Sequence, residues 1–114
     1  METRIIKDKI TPMTISKERW HTLSLVEQLG NIGSEVGRAR KWQGKDEDLF
    51  WGAVTRALEL FDLTQCDNRW GRKHYEIDRA RETFADAVLG GKEYGSKLQD
   101  LEKYFMNFAL VAMR

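Results

Sequence analysis

From residue 24 onward the apolar positions recur with the period of an α-helix, in four blocks. The first block covers about 24–43. Ser24-Leu25-Val26-Glu27 has the spacing of a capping box, in which the hydroxyl and the carboxylate each accept from the other residue's exposed backbone N–H. Leu25, Leu29, Ile32, Val36 and Ala39 then follow at intervals of 4, 3, 4 and 3, one narrow helical stripe. Arg38, Arg40 and Lys41 crowd the last turns, where the helix dipole favours cations, and Gly44 is a natural stop. The second block, about 46–65, opens on Asp46-Glu47-Asp48, acidic where the dipole favours anions. Its apolar set, Leu49, Phe50, Ala53, Val54, Ala57, Leu58, Leu60 and Phe61, covers nearly half the circumference, so this helix buries more than one side.

The third block, about 72–89, carries Ile77, Ala80, Phe84, Ala87 and Val88 inward and Glu76, Arg79, Glu82 and Asp86 outward, and ends at Gly90-Gly91. The fourth starts at Ser96, where Ser96-Lys97-Leu98-Gln99 is a second capping box. Leu98, Leu101, Tyr104, Phe105, Phe108, Ala109 and Ala112 continue it. Pro12 is the single proline, so none interrupts these blocks. Four helices with short connections predict an all-α fold, an antiparallel up-down four-helix bundle over residues 24–114. Residues 1–23 alternate poorly and read as an irregular N-terminal arm, either packed on the bundle through Trp20 or without order.

Composition narrows the classes. At 114 residues, 41% of them hydrophobic and 32% charged, the chain suits one globular domain and is too apolar for a disordered one. Lys and Arg number 19 against 18 Asp and Glu, so a general nucleic-acid coat is disfavoured and only a local basic patch could contact RNA. One cysteine allows neither an internal disulfide nor a cysteine-based zinc site. No run of 18 apolar residues exists, and METRIIKDKI lacks the apolar stretch of a signal peptide. The expectation is a cytoplasmic protein that does not enter a membrane.

Glycine-rich phosphate loops, Gly-x-Ser-x-Gly elbows and His-Glu-x-x-His are missing. A di-iron bundle needs a Glu-x-x-His pair on each of two helices, and His74 has no Glu three residues before it. No metal site and no cofactor are expected. Gly30, Gly33 and Gly37 lie close together on the first helix, and each interior glycine costs about 1 kcal/mol relative to alanine unless its smallness is used. They admit a close helix, from another subunit or from within the bundle. Gln28, Asn31, Ser34, Glu35 and Arg38 read as a solvated face or the lining of a groove. Trp20, Trp42, Trp51 and Trp70 exceed what the stripes need, and tryptophan is enriched at interfaces. With the broad second helix and the glycines, they point to a homodimer or higher oligomer, with Trp51 projecting from the main face.

The densest chemistry is Asn68-Arg69-Trp70-Gly71-Arg72-Lys73-His74-Tyr75, at the junction of the second and third helices. Arg suits bidentate phosphate contacts, and His exchanges protons near neutrality. Arg69 could hold an RNA phosphodiester while His74 takes the 2′-hydroxyl proton, with Arg72 and Lys73 steering the substrate. A solvated basic turn beside Asp67 and Asp78 accounts for the same residues.

The spacing Arg69-x4-His74 resembles the Arg-x4–6-His motif of HEPN domains. That resemblance implies a small helical dimer. It also implies either a metal-independent ribonuclease, the toxin of a toxin–antitoxin pair, or a chain that pairs with a minimal nucleotidyltransferase. Many such ribonucleases place Tyr two residues after the His, whereas Tyr75 follows His74 directly, so its phenol would point elsewhere. Leu29-Gly30-Asn31-Ile32-Gly33-Ser34-Glu35-Val36 and Arg56-Ala57-Leu58-Glu59-Leu60-Phe61-Asp62-Leu63-Thr64 also resemble a group of small prokaryotic helical proteins of no assigned activity. Two functions follow as expectations. One is a non-catalytic oligomeric bundle that docks a partner protein such as a nucleotidyltransferase, and the other is a HEPN-like ribonuclease.

Overall fold

Ser16 starts the first helix by chemistry alone: its hydroxyl accepts the Arg19 N–H at 3.1 Å, which caps α1 (Lys17–Trp20). The computed structural model of the chain describes residues 16–91, 95 and 97–112, the last five by backbone only. Among these residues there is no strand, and the expectation of an all-α protein holds. The reading of 1–23 as wholly irregular is corrected at 17–20, which form one helical turn because Ser16 caps it and Trp20 is driven inward to 1% exposure. Residues 1–15, Pro12 included, lie outside the described residues.

α2 (Leu25–Trp42) begins with both bonds of the capping box, Glu27 N–H to Ser24 Oγ at 3.1 Å and Ser24 N–H to Glu27 Oε1 at 2.8 Å. α3 (Glu47–Gln65) is capped by Asp46, which accepts from Leu49 N–H at 3.0 Å. The third predicted helix arrives in two pieces. Residues Asn68–Lys73 wind as a 3-10 segment, and α4 (His74–Val88) follows it. Gly71 sits inside that segment with φ +51°, a backbone turn that side chains other than glycine seldom allow. α5 (Leu98–Ala112) completes the order. Ser96, expected as its cap, lies outside the described residues, as do the side chains of Phe108, Ala109 and Ala112.

Named pairs give the helix directions. Arg56 of α3 donates to Glu35 of α2, while Gln28, a turn into α2, reaches Asp67 beyond the end of α3, so these helices run antiparallel. Arg81 pairs with Asp62, and Gln65 donates to Asp78, which sets α4 antiparallel to α3. α5 returns to lie along α2. A Cβ placed on Gly33 would stand 2.5 Å from Phe105 Cβ, and one on Gly37 would stand 2.8 Å from Glu102 Oε2. Arg40 of α2 also pairs with Glu102.

Gly33 and Gly37 thus face the chain's own last helix, the within-bundle reading weighed for them. Its backbone approaches too closely for any side chain at position 33, while at position 37 it presents only the Glu102 side chain. Gly30 is buried on the same helix. The broad apolar face of α3 is likewise absorbed inside the chain. Phe61 stands between Phe84 of α4, at 5.8 Å between ring centres, and Phe105 of α5, at 6.0 Å. Each such buried ring contributes on the order of 2–3 kcal/mol of hydrophobic stabilisation. Leu49 is the member of that face left half-exposed.

Candidate functional site

The junction between α3 and α4 carries the motif residues, and its chemistry begins with Asp67. This carboxylate follows the last turn of α3 and is 5% exposed. A buried carboxylate must be paired and hydrogen-bonded to stay ionised. Asp67 caps the 3-10 segment by accepting Arg69 N–H at Oδ1, 3.0 Å. The Arg69 side chain folds back onto it, Nε at 3.0 and 3.1 Å from the two oxygens and Nη2 at 2.6 Å from Oδ2. Nη2 also donates to the main-chain carbonyls of Leu23, at 2.7 Å, and His21, at 3.2 Å. The Arg69 hydrogen bonds hold the Asp67 carboxyl well below the usual carboxylate range, although burial pushes the other way. The same bond to Asp67 raises the Arg69 guanidinium above its ordinary value.

Beneath this pair lies Gln28, 0% exposed. Its amide nitrogen donates to Asp67 Oδ2 and to the Trp20 carbonyl, both at 3.0 Å, and its amide oxygen accepts from Trp70 Nε1 at 3.3 Å. Trp20 Nε1 donates to Thr64 Oγ1 at 2.9 Å, and that hydroxyl donates to the Leu60 carbonyl at 2.8 Å. His21 Nε2 sits 3.0 Å from the Leu63 carbonyl. Because a carbonyl only accepts, the His21 proton resides on Nε2. Seven side chains thus form one polar network that fastens residues 20–23 to the α3–α4 junction. Trp20, Trp70 and Gln28 are consumed there, which corrects the reading of Gln28 as part of a solvated face. Its polarity is needed because Asp67 and two indoles must find partners away from water.

The two predicted catalytic residues, Arg69 and His74, stand on either side of the turn at Gly71. Among the described residues no hydrogen bond links Arg69 with His74. The turn at Gly71 lies between them, so Arg69 points back to Asp67 while His74 opens α4. His74 Nε2 is buried without a hydrogen-bond partner. The residue as a whole is part-exposed, so it is this one ring nitrogen that is covered. Arg72 and Lys73, the predicted steering cations, are exposed on the 3-10 segment, and Tyr75 is 82% exposed. Trp51 is 44% exposed near the start of α3, its ring edge-on to Phe50 at 4.9 Å, with Leu49 half-exposed beside it.

Asn31, Ser34, Glu35 and Arg38 line a shallow polar groove with Arg19 and Leu60, the groove considered for that face. Glu35 is engaged within it, with Arg38 at 2.9 Å and Arg56 at 3.2 Å. No group of three or more His, Cys, Asp and Glu residues is gathered as a metal cage among the described residues, and no helix among them is long and apolar enough to cross a membrane. Sequence reasoning weighed Arg69 and His74 but missed Asp67, Gln28, Thr64 and Trp20 as one unit. The available signal was Asp67 two residues before Arg69, the spacing of a local side-chain cap. Comparison with protein-family models, curated proteins and solved structures finds no match.

Proposed function

We propose that this chain is a non-catalytic, self-associating protein whose four long helices form an antiparallel up-down bundle, and that it docks a partner protein in the cytoplasm. The partner class is a minimal nucleotidyltransferase, and the half-exposed pair Leu49 and Trp51 is the apolar surface offered to it. One observation carries the non-catalytic half. Arg69 commits Nε and Nη2 to Asp67 and to two main-chain carbonyls, and the buried Nε2 of His74 has no partner. Of the two groups that metal-free RNA cleavage would use, Arg69 is engaged in holding the fold and His74 has its Nε2 covered. The test is incubation of purified wild type and His74→Ala with mixed cellular RNA in EDTA. Neither protein should cleave. Titration calorimetry with a minimal nucleotidyltransferase from the same genome should give a saturable heat.

The second reading is a HEPN-like ribonuclease acting as a toxin. Exposed Arg72 and Lys73 beside the motif favour it. In that reading Arg69 exchanges Asp67 for a substrate phosphate. Cleavage by wild type that His74→Ala lowers by about 100-fold or more, the low end for a positioned acid–base group, would select it.

A further inference from the structure

The polar groove beside α1 holds more cation than its own acids can pair. Arg19 of α1 and Asn31, Ser34, Glu35 and Arg38 of α2 line it, with Trp20 and Leu60 beneath, and it measures about 360 Å³, the low end for a ligand cleft. Among these lining residues Glu35 is the one carboxylate, and both its oxygens are taken, Oε2 by Arg38 Nη1 at 2.9 Å and Oε1 by Arg56 Nε at 3.2 Å. Arg38 leans back one turn along α2 to make its bond, as helical side chains do. The Arg19 side chain makes no hydrogen bond or ion pair among the described residues.

The uncharged groups do not change that balance. Ser34 gives its proton to the Gly30 carbonyl at 3.3 Å, and Asn31 gives one amide proton to the Glu27 carbonyl at 2.8 Å. The donors left over are the two lining guanidiniums and the second amide N–H of Asn31. Nearby charges were counted as well. Glu59 lies close enough to Arg56 for the two charges to act on each other. Lys17 and Glu18 flank Arg19 and offset each other, Asp62 pairs with Arg81, and Glu27 turns its carboxylate to the Ser24 N–H. Arg19, Arg38 and Arg56 against Glu35 and Glu59 leave one positive charge. A single negative charge completes this cluster, and a double one exceeds it.

We propose that the groove between α1 and α2 binds a small carboxylate, its oxygens held by Arg19 and Arg38 and its carbon skeleton against Leu60. Guanidinium donors match the geometry of a carboxylate, and such charge-assisted bonds are stronger than neutral ones. The site is separate from Leu49 and Trp51 and from any contact between copies, so it stands or falls without them.

The test is a titration of the full chain with sodium benzoate at constant ionic strength. Nitrogen–proton correlation spectra follow the backbone amides of Asn31 and Ser34 and the side-chain Nε–H of Arg19 and Arg38. These signals should move and saturate at millimolar benzoate. Benzamide, of the same shape without the charge, should leave them in place, and inorganic phosphate should bind more weakly than benzoate. Arg19→Gln and Arg38→Gln should each raise the benzoate dissociation constant by about 10-fold, the loss of one charge-assisted hydrogen bond. Lys45→Gln removes the same charge from an exposed residue outside the groove and should stay within about twofold of wild type. Circular dichroism confirms that the variants keep their helices, and Arg19, which pairs with nothing described, decides the matter if Arg38→Gln does not fold. Shifts that never saturate, that benzamide reproduces, or that Arg19→Gln leaves unchanged overturn the site. Phosphate binding as tight as benzoate overturns the choice of a carboxylate.

Discussion

Nη2 of Arg69 sits 2.6 Å from Oδ2 of Asp67 and 2.7 Å from the Leu23 carbonyl, so one guanidinium ties the α3–α4 junction to the segment that leads into α2. The residue that sequence spacing nominates for phosphate binding is the one that closes the fold.

That pair makes stability depend on acid. The folded Asp67 carboxyl is held below the usual range by Arg69, so its contribution is complete above the unfolded carboxyl value of about 3.9 and is lost as the pH falls below that. Asp67→Asn should be less stable than wild type at pH 7, and the difference should narrow between about pH 4 and pH 2. Urea titrations at several pH values check this. A gap that does not change with pH would rule it out.

Gln28→Leu keeps the volume and removes the polarity. It leaves the Trp70 indole N–H without its partner and removes one bond each from Asp67 Oδ2, which keeps Arg69, and from the Trp20 carbonyl, which keeps the Leu23 N–H. One unsatisfied buried group costs about 1–3 kcal/mol, and a loss of that size is expected in chemical denaturation. A change below about 0.5 kcal/mol would mean the network does not support the fold.

Two glycines four residues apart should respond in opposite ways. Gly33→Ala places a methyl against Phe105 Cβ and backbone, which cannot swing aside, and should destabilise by about 1–3 kcal/mol despite better helix propensity. Gly37→Ala meets only the movable carboxylate of Glu102 and should be neutral or stabilising by up to about 1 kcal/mol. Thermal melts of the two variants side by side decide it.

Trp51 separates folding from docking. Because it is half-exposed, Trp51→Ser should shift stability by no more than about 0.5 kcal/mol. If Leu49 and Trp51 receive the partner, the same variant should weaken nucleotidyltransferase binding by at least about 10-fold in calorimetry while leaving the dimer intact.

Local signals in the chain were readable, and distant ones were not. The capping box at Ser24 and Glu27 and the acidic start of α3 are settled within a few residues, and both helices begin where those signals stand. The stripe Leu29, Ile32, Val36 and Ala39 is buried for the same reason. Gln28 escaped because a polar residue beside an apolar stripe reads as solvated, while its partners Asp67 and Trp70 are 39 and 42 positions away. Arg69 and His74 were legible as a pair at a helix junction, but the positive φ of Gly71 between them has no signal in the spacing. The role of Gly33 was open for a similar reason: smallness announces a close approach but not which helix makes it.

The intimate seating of α5 on α2 bears on how the molecule is made. Gly33 and Phe105 are separated by most of the chain, so the tightest seam joins segments that leave the ribosome far apart in time. Until Phe105 emerges, α2 has its cap and its stripe but no lid over the glycine face. Domains generally fold as units during synthesis, and a half-made one exposes apolar surface to its neighbours. The nascent chain therefore completes its core late, and anything that halts translation before position 105 releases a product with that seam open.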